Sequence, residues 1–595
     1  MAIDTKESLC RHLQAAIELE HSTLPPYLCA LYSIVAGTNE DARCVLQSVA
    51  LEEMLHLTLA ANILNALGGQ PVLDAPTLLP PHPATLPHSN GSVSLRLRPF
   101  SKEAVRGFME VERPADAGSS AQDEGYATIG QFYQAIDEAL VRLSQELGDR
   151  ELFTGDPQRQ VTEDLYYGGA GRIIAVSDLG SARRALREIV DQGEGLDHRS
   201  VFDGDRDMFH PDRDELGHYF RFEQLLVGRA FKRGDTPSTG PTGEPITVDW
   251  SAVYPMRENP RRSDHLPGTA AREAMDAFNT SYCTVLQLLE RTFNGVPTLL
   301  KFATGAMYGL KQQIIDLMAM NLNGEVASVG PSFEWVPPEQ RRFSGARISV
   351  LPAGPYLMRG EIDVFDAQGK ERLHGGVCVL CRCGGSRTKP FCDGTHARIG
   401  FRGEESASHD TMADRRKAYP AAGGATVFDD RTRCAHFGQC TDRCPEAFGV
   451  GEEDFVNPAA APTDMLARVV AGCPSGALTF ALAGSETLEE REQPSVHPIV
   501  DGPYRLRGGI EVIGADGVPF EVRERQTLCR CGNSRNKPFC DGSHWYAGFR
   551  DPLPPELEHA DPFPWTQPGA AERGRERYAR EQAAKAAASG RPQQS

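Results

Sequence analysis

The sequence predicts a multidomain protein in which a large all-α domain, a four-helix bundle with extra helices, precedes several small modules. Three observations predict it: the length of 595 residues, helical periodicity confined to the first part of the chain, and cysteines crowded into the second. A chain of this length exceeds one hydrophobic core and suggests about three to five domains. Eleven of the 15 cysteines lie between Cys378 and Cys540, among short β-like runs and Gly-rich turns. We therefore expect β-rich modules and one α+β module there.

Composition narrows the range of functions. The net charge of −19 argues against nucleic-acid or anionic-membrane partners. No apolar run reaches the roughly 18 residues of a membrane helix, and the N-terminal stretch lacks the pattern of an export signal, so we expect a cytoplasmic protein. In such a chain, cysteines are more often metal ligands or reduced thiols than members of a disulfide scaffold.

The helical part forms one predicted domain, residues 1–340. Apolar residues recur at helical spacing over 5–35, 40–67, 128–147, 180–196, 213–230, 268–293 and 297–322. A Pro-rich, partly strand-like insertion at about 70–127 interrupts them and is expected to run over the helical core. At the other end of the chain, residues 553–595 are Pro-rich and then Ala/Arg-rich, which predicts a partly disordered tail.

Acidic and histidine residues on the apolar stripes of these helices predict a first site. A Glu on one predicted helix is followed by Glu-x-x-His on the next, and the same order then recurs. A single Glu-x-x-His could be a surface helix pair, but two such sets suit a carboxylate-bridged dimetal site. Without metal, burying four carboxylates would be costly through desolvation and repulsion. The predicted metal ligands, also the predicted catalytic residues, are Glu20, Glu53, His56, Glu194, Glu215 and His218.

The cysteine-rich part contains an internal repeat. The segment that begins at Gly354 returns at Gly502, and each copy continues into C-R-C-G-x-S-x-x-K-P-F-C-D-G-[TS]-H, with every ligand position 148 residues apart. Three thiolates and one imidazole favour a soft metal or an iron–sulfur cluster, and a structural zinc site is the alternative. The predicted ligands are Cys381, Cys383, Cys392 and His396 in the first copy and Cys529, Cys531, Cys540 and His544 in the second.

A different cysteine group lies between the two copies. The run begins at Cys434, but Phe437 stands where a ferredoxin-type C-x₂-C-x₂-C-x₃-C-P run has its second cysteine. Three ligands alone would suit a [3Fe–4S] cluster, whereas a recruited Cys444 would complete a [4Fe–4S] cluster, and the sequence leaves both open. The candidate ligands are Cys434, Cys440, Cys444 and Cys473.

These motifs carry three family resemblances. The duplicated motif resembles the CDGSH family, which implies a [2Fe–2S] cluster in each of the modules 345–402 and 495–552. Residues 425–485 resemble a single-cluster bacterial ferredoxin, which implies one [3Fe–4S] or [4Fe–4S] cluster. The segment from Ile17 to Ile34, with Glu-Glu-Met-Leu-His ending at His56, resembles the ferritin-like domain of the iminophenyl-pyruvate dimer synthase family. That family includes proteins of bisindole pigment and antibiotic biosynthesis, and the resemblance implies a ferritin-like fold, two iron ions and oxidative biosynthetic chemistry. The long members of the pigment pathways have no iron–sulfur modules, so their reaction is not carried over to this chain.

One-electron carriers fused to a dimetal site predict an O₂-dependent non-haem diiron oxygenase or oxidase. Its substrate would be a small aromatic or amino-acid-derived metabolite, and the in-chain clusters would relay electrons to the diiron site. No flavin or nicotinamide fingerprint is evident, so we expect an external reductase or ferredoxin. The alternative is an iron- or redox-handling protein, such as a ferroxidase, peroxide scavenger or cluster carrier. Because CDGSH domains commonly pair, we also expect the two copies to pair within the chain.

Overall fold

The computed structural model describes residues 3–116, 118–163, 165, 170–194, 200–203, 215–320, 328–367, 369–449, 454–483, 485, 489 and 491–551. The chain divides into two compact units, Met1–Arg341 and Arg342–Ser595. The first is helical and the second is rich in β-strands, as the sequence predicts. The described helices of the first unit are α1 (Lys6–Ser33), α2 (Glu40–Ala66), α3 (Lys102–Val111), α4 (Ile129–Leu147), α5 (Asp149–Leu152), α6 (Leu179–Glu194), α7 (His218–Val227), α8 (Ala270–Phe293) and α9 (Leu300–Ala319), with one short hairpin, β1 (Ala84–Thr85) and β2 (Ser94–Leu95).

Four of these helices share one hydrophobic core. Leu24 and Tyr27 of α1, Val49 of α2, Phe108 of α3 and Phe222 of α7 are all buried in it. The burial of apolar surface between these helices is the main force that fixes their positions. Polar side chains on the same helices are thereby held inside the bundle.

By its length and composition, helix α2 is apolar enough to cross a membrane, with a mean hydropathy of 1.2 over 18 residues. However, 78% of that window is buried inside the fold. That burial is expected of the central helix of a bundle, whose apolar residues pack against neighbouring helices.

Two helix predictions need correction. Helix α3 lies inside the stretch 70–127, for which the sequence predicts a Pro-rich, partly strand-like insertion. Its start is stabilised by Ser101, whose hydroxyl accepts a hydrogen bond from the Ala104 amide at 3.1 Å. Helix α7 begins only at His218, with Gly217 as its N-cap, so Glu215 precedes the helix instead of lying on it.

Within its described residues, the second unit contains two sheets and four short helices. A seven-stranded sheet has the order β11-β3-β4-β9-β10-β12, with β5 also paired to β4, and a three-stranded sheet has the order β6-β7-β8. The strands are β3 (Ala346–Val350), β4 (Tyr356–Phe365), β5 (Glu371–Leu380), β6 (Lys417–Pro420), β7 (Thr426–Asp429), β8 (Leu478–Ala481), β9 (Ser495–Pro498), β10 (Tyr504–Arg507), β11 (Glu511–Ile513) and β12 (Arg525–Leu528), and the helices are α10 (Thr395–Arg398), α11 (Met412–Arg415), α12 (Gln439–Arg443) and α13 (Thr463–Ala471).

The large sheet is assembled from strands of both sequence repeats. In the first copy, the far half of β4 pairs in parallel with β9 of the second copy, through Asp363↔Ser495 and Val364↔Val496. In the second copy, β11 pairs in parallel with β3 of the first copy, through Val512↔Ile348. Each repeat therefore contributes one strand to the hydrogen-bonded ladder of the other.

The segment between the repeats builds the small sheet. Strands β6, β7 and β8 are antiparallel neighbours, and α13 packs on them with Leu466 and Val470 buried. This arrangement supports helix α12, which carries Cys440, and the loops that carry Cys434 and Cys473.

Candidate metal centres

Two groups of buried acids and histidines meet in the core of the first unit and share Glu53. One consists of Glu20, Glu53 and His56, and the other of Glu53, Glu112 and His218. In each group one ligand atom per residue lies within 4.8 Å of the others. All five side chains are buried. A carboxylate common to two such groups is the geometry that a bridged pair of cations requires.

Both imidazoles turn their Nδ1 atoms toward the shared carboxylate. His56 Nδ1 lies 3.4 Å from Glu20 Oε2 and 3.9 Å from Glu53 Oε1. His218 Nδ1 lies 3.0 Å from Glu53 Oε1 and 3.4 Å from Glu112 Oε2. The two rings are stacked with centroids 5.5 Å apart. The donors of the two groups therefore face a common interior.

The Nε2 nitrogen of each ring lies near an oxygen atom of a residue outside the two ligand groups. His56 Nε2 lies 2.8 Å from the side-chain oxygen of Gln192, and His218 Nε2 lies 2.9 Å from Glu52 Oε2. Because these oxygens only accept, each Nε2 carries a proton, and each Nδ1 is the ring nitrogen left to bind a metal. One histidine is thus oriented by an amide and the other by a carboxylate.

Arg221 balances the acids behind His218. Its guanidinium donates to Glu52 at 2.7 Å and to Asp203 at 3.0 Å, and it lies 3.2 Å from Glu215. Burial opposes ionisation of Glu52, but Arg221 and the bonded His218 outweigh it and lower the pKa of that carboxyl. The arginine is therefore paired with acids outside the two ligand groups.

Hydroxyl groups complete the support of the three inner carboxylates. Tyr133 donates to Glu20, and Tyr27 donates to Glu112. Thr23 donates to Glu53 Oε2 at 2.9 Å. Each bond occupies one carboxylate oxygen and leaves the other facing the interior, which fixes the direction from which a cation is bound.

The donor set fits two metal ions. Burial, together with the Glu112 and Glu20 carboxylates, raises the pKa of Glu53 to about 8. His218 Nδ1 is fully buried and makes no hydrogen bond in the described part of the chain, although two carboxylate oxygens lie within 3.4 Å. Cations among these donors would relieve both the mutual repulsion of the acids and the unsatisfied nitrogen. Carboxylate and imidazole ligands suit iron among other first-row metals.

The structure brings together four of the six predicted dimetal ligands and adds one. Glu20, Glu53, His56 and His218 converge, whereas Glu215 lies against Arg221 and belongs to neither group. Glu194 is the last residue of α6, and its side chain lies outside the described residues. Sequence reasoning missed Glu112, which follows α3 directly as its C-cap.

The two CDGSH-type sites have matching geometry. In the first, Cys381 Sγ lies 3.9 Å from Cys383 Sγ, and Cys392 Sγ lies 3.2 Å from His396 Nδ1. In the second, the equivalent distances are 3.8 Å between Cys529 and Cys531 and 3.4 Å between Cys540 and His544. None of these cysteines forms a disulfide. Three thiols and one imidazole converge in each copy, a set that fits an iron–sulfur cluster.

Backbone amides point at the sulfurs of both sites. The Gly394 amide lies 3.4 Å from Cys392 Sγ, and the Gly542 amide lies 3.5 Å from Cys540 Sγ. The aspartates of the motif hold these loops, since Asp393 accepts from the Arg387 amide at 2.9 Å and Asp541 does the same in the second copy. Amide donors stabilise thiolate sulfur and tune the potential of a bound cluster.

The ferredoxin-like site separates its four candidate cysteines. Cys434, Cys440 and Cys473 line one cavity of about 30 Å³, together with Asp429 and Arg431. Arg431 Nη1 lies 3.6 Å from Cys434 Sγ, and its positive charge suits thiolate ligands. Cys444 does not line this cavity but is buried in the apolar core beside Phe448 and Leu466. The geometry therefore favours three cysteine ligands, with Cys444 as a packing residue.

Comparison with known proteins agrees with this division. Residues 13–227 match the family model Ferritin-like, residues 353–397 and 501–545 match the model Iron-binding zinc finger CDGSH type, and residues 423–483 match the model Divergent 4Fe-4S mono-cluster. These matches confirm the predicted combination of domains. Together they support a redox role.

Two individual proteins are similar to parts of the chain. Dichlorochromopyrrolate synthase from Lentzea aerocolonigenes is 26% identical over 404 residues, covering 56% of this chain and 36% of that protein. The chain thus spans little more than a third of that relative's length. A ferritin-like protein from Caulobacter vibrioides is 22% identical, with a TM-score of 0.38, covering 55% of this chain and 97% of that one.

Proposed function

We propose that this chain, which joins a ferritin-like domain to two CDGSH modules and a divergent 4Fe-4S module, is an O₂-dependent diiron oxygenase or oxidase. Its substrate would be a small aromatic or amino-acid-derived metabolite. The observation that carries the proposal is the shared position of Glu53 between His56 and His218. Bound iron would supply O₂ activation at this site. The name of the Lentzea relative supports a biosynthetic, aromatic substrate class.

The residues of the chain would divide the work. Glu20 and His56 would hold one iron, Glu112 and His218 would hold the other, and Glu53 would be a ligand of both. Glu52 and Gln192 keep the proton of each ring on Nε2, so that both Nδ1 atoms remain ligands. The buried hydroxyls of Tyr27 and Tyr133 hold the terminal carboxylates.

The second unit would supply electrons. We propose a [2Fe–2S] cluster in each CDGSH module and a [3Fe–4S] or [4Fe–4S] cluster in the ferredoxin-like module. An external reductase or ferredoxin would reduce them. Covalent attachment of carriers to an oxidase raises their effective concentration to roughly the millimolar range.

The test is Mössbauer spectroscopy on full-length, ⁵⁷Fe-enriched protein purified without oxygen. We expect a dinuclear iron component beside the cluster components. Glu53→Ala and His218→Ala should remove the dinuclear component and O₂ uptake by the reduced protein while the clusters remain. His21→Asn is the matched control, because this buried histidine bonds Tyr282 at 3.0 Å and not the ligands. Full dinuclear iron in Glu53→Ala would overturn the assignment.

Measurements of O₂ uptake by the same protein distinguish an oxygenase from an iron-handling protein. A ferroxidase would consume O₂ with Fe²⁺ alone and turn over repeatedly. An oxygenase would take up O₂ once when reduced and need an organic substrate for sustained turnover. Sustained uptake with Fe²⁺ alone would favour the iron-handling alternative.

A further inference from the structure

We infer that the second CDGSH site is the direct electron-transfer partner of the ferredoxin-like site, and that the first CDGSH site is not. The inference rests on the electron-carrier role proposed above and assigns an order to the three carriers. It is carried by a contact surface that joins the cluster-binding loops of the two modules. Three separate interactions build this surface.

The first interaction stacks the residues that precede two cluster ligands. The Arg433 guanidinium lies 3.7 Å from the centre of the Phe539 ring. Arg433 immediately precedes Cys434, and Phe539 immediately precedes Cys540. Both side chains are buried, and a cation–π contact is stronger when it is shielded from water in this way. The stack therefore fixes two ligand-bearing loops against each other.

The second interaction is a close approach of the same two loops. A Cβ placed on Gly542 would lie only 3.0 Å from Cβ of His436. Gly542 and His436 are each two residues beyond a ligand cysteine. The equivalent glycine of the first copy, Gly394, has the same backbone φ, 82° against 83°, but no described atom lies within 4 Å of its hypothetical Cβ. Close approach is thus peculiar to the second copy.

The third interaction reaches the remaining ligand loop of the ferredoxin-like site. Arg525 Nη1 donates to the carbonyls of Val470, Ala471 and Cys473 at 2.8, 2.9 and 2.8 Å. Arg525 lies on β12, whose chain continues directly into Cys529. At the equivalent position the first copy has Val377, which has no side-chain donor.

The two CDGSH sites accordingly differ in exposure. His544 is only 2% exposed and packs against Trp545, with ring centroids 4.4 Å apart. His396 is partly exposed, and the nearby Ile399 is 56% exposed. The first copy therefore presents its ligand loop to solvent, where an external donor could reach it.

The two CDGSH loops also touch each other. A Cβ on Gly384 would lie 2.7 Å from the Cys531 carbonyl, and one on Gly532 would lie 2.8 Å from the Cys383 carbonyl. The three ligand loops thus form a row with the second CDGSH loop in the middle. A [2Fe–2S] cluster held in the second CDGSH site would give one electron at a time to a cluster held in the ferredoxin-like site, with no covalent bond formed or broken, and an external reductase or ferredoxin would replace that electron.

The test is electron paramagnetic resonance on full-length protein, with the ferredoxin-like cluster and the [2Fe–2S] clusters poised paramagnetic. Cys540→Ser, which removes the second [2Fe–2S] cluster, should abolish the spin–spin interaction seen by the ferredoxin-like cluster. Cys392→Ser, its counterpart in the first copy, should leave that interaction in place. Loss of the interaction in Cys392→Ser, or its persistence in Cys540→Ser, would overturn the inference.

A second variant tests the contact without removing a ligand. Arg525→Val installs the residue of the first copy and should weaken the spin–spin interaction while the iron and sulfide content stays unchanged. An unchanged interaction in Arg525→Val would count against the contact surface. Both measurements can be made in the Glu53→Ala background without O₂. Failure of the proposed oxidase function would therefore leave their outcome unaffected, and the two hypotheses fail separately.

Discussion

Tyr356 and Tyr504 occupy equivalent positions in the two sequence repeats, and each bonds the cluster loop of the other repeat. The Tyr356 hydroxyl lies 2.9 Å from the carbonyls of both Cys529 and Pro538. The Tyr504 hydroxyl reaches the equivalent carbonyls of the first copy at 3.0 and 2.6 Å. Their rings meet edge to face, with centroids 6.2 Å apart. The order of each cluster loop thus depends on a side chain from the opposite repeat.

Because each tyrosine bonds the cluster loop of the other repeat, mutation of one tyrosine should affect the loop of the opposite repeat. Tyr356→Phe should loosen the loop around Cys529, and Tyr504→Phe should loosen the loop around Cys381, each at a cost of about 1 kcal/mol. Hydrogen exchange followed by mass spectrometry would locate the change. We expect faster exchange in peptide 528–540 for Tyr356→Phe and in peptide 380–392 for Tyr504→Phe. Each variant is the control for the other, and loosening within the mutated repeat itself would contradict the prediction.

Glu112 is predicted to be a ligand of one iron. Glu112→Gln removes a charge that faces His218 Nδ1 at 3.4 Å, so the protein should lose the iron of the Glu53–Glu112–His218 group. Mössbauer spectra should then show mononuclear iron in place of the dinuclear component. Glu110→Gln, on the exposed side of the same helix, is the control and should retain the dinuclear component. An intact dinuclear component in Glu112→Gln would exclude this role.

Glu52 is predicted to control metal affinity without touching the metal. Glu52→Gln weakens the acceptor for His218 Nε2 and leaves Arg221 one carboxylate short. Loss of such an outer partner reduces metal affinity by about 10- to 100-fold. Anaerobic iron(II) titration of the metal-depleted protein measures the change. Glu40→Gln, at the exposed start of the same helix, should bind iron as the unmodified protein does, and equal affinities for both variants would refute the role of Glu52.

The cysteines of the ferredoxin-like site should divide into ligands and a packing residue. Cys440→Ser should lose that cluster, because this thiol faces the cavity that Cys434 and Cys473 line. Cys444→Ser should keep the cluster and lose only stability, because Cys444 is buried among apolar side chains. Iron and acid-labile sulfide per chain report the difference. Loss of the cluster in Cys444→Ser would instead show that Cys444 is its fourth ligand.

The sequence could predict the ligands that lie on regular, strongly patterned helices. Glu20, Glu53 and His56 stand on long apolar stripes, so their burial follows from spacing alone. Glu112 was not predicted as a ligand because it lies at the end of a short helix in a Pro-rich segment. Its signal was present in the buried positions Val105 and Phe108, which precede it at helical spacing after the Ser101 cap.

Other features depend on tertiary contacts that no local pattern records. Glu215 satisfies the spacing of a Glu-x-x-His pair, but α7 begins only at His218, after its Gly217 N-cap, and Glu215 lies against Arg221. Likewise, Cys444 matches a ligand spacing, and only the packing of Phe448 and Leu466 around it separates it from the cavity. Spacing predicts which residues could be ligands, and packing decides among them.

Fusion of the two CDGSH repeats into one chain has an evolutionary consequence. In a dimer of identical subunits, every substitution appears on both sides, so an arginine that docks one loop would also appear on the loop left open. A tandem chain escapes this constraint, since Arg525 and its counterpart Val377 are encoded separately. The duplicated scaffold could therefore retain its reciprocal tyrosines while its two cluster loops diverged. One loop then contacts the ferredoxin-like module, and the other stays open to an external electron donor.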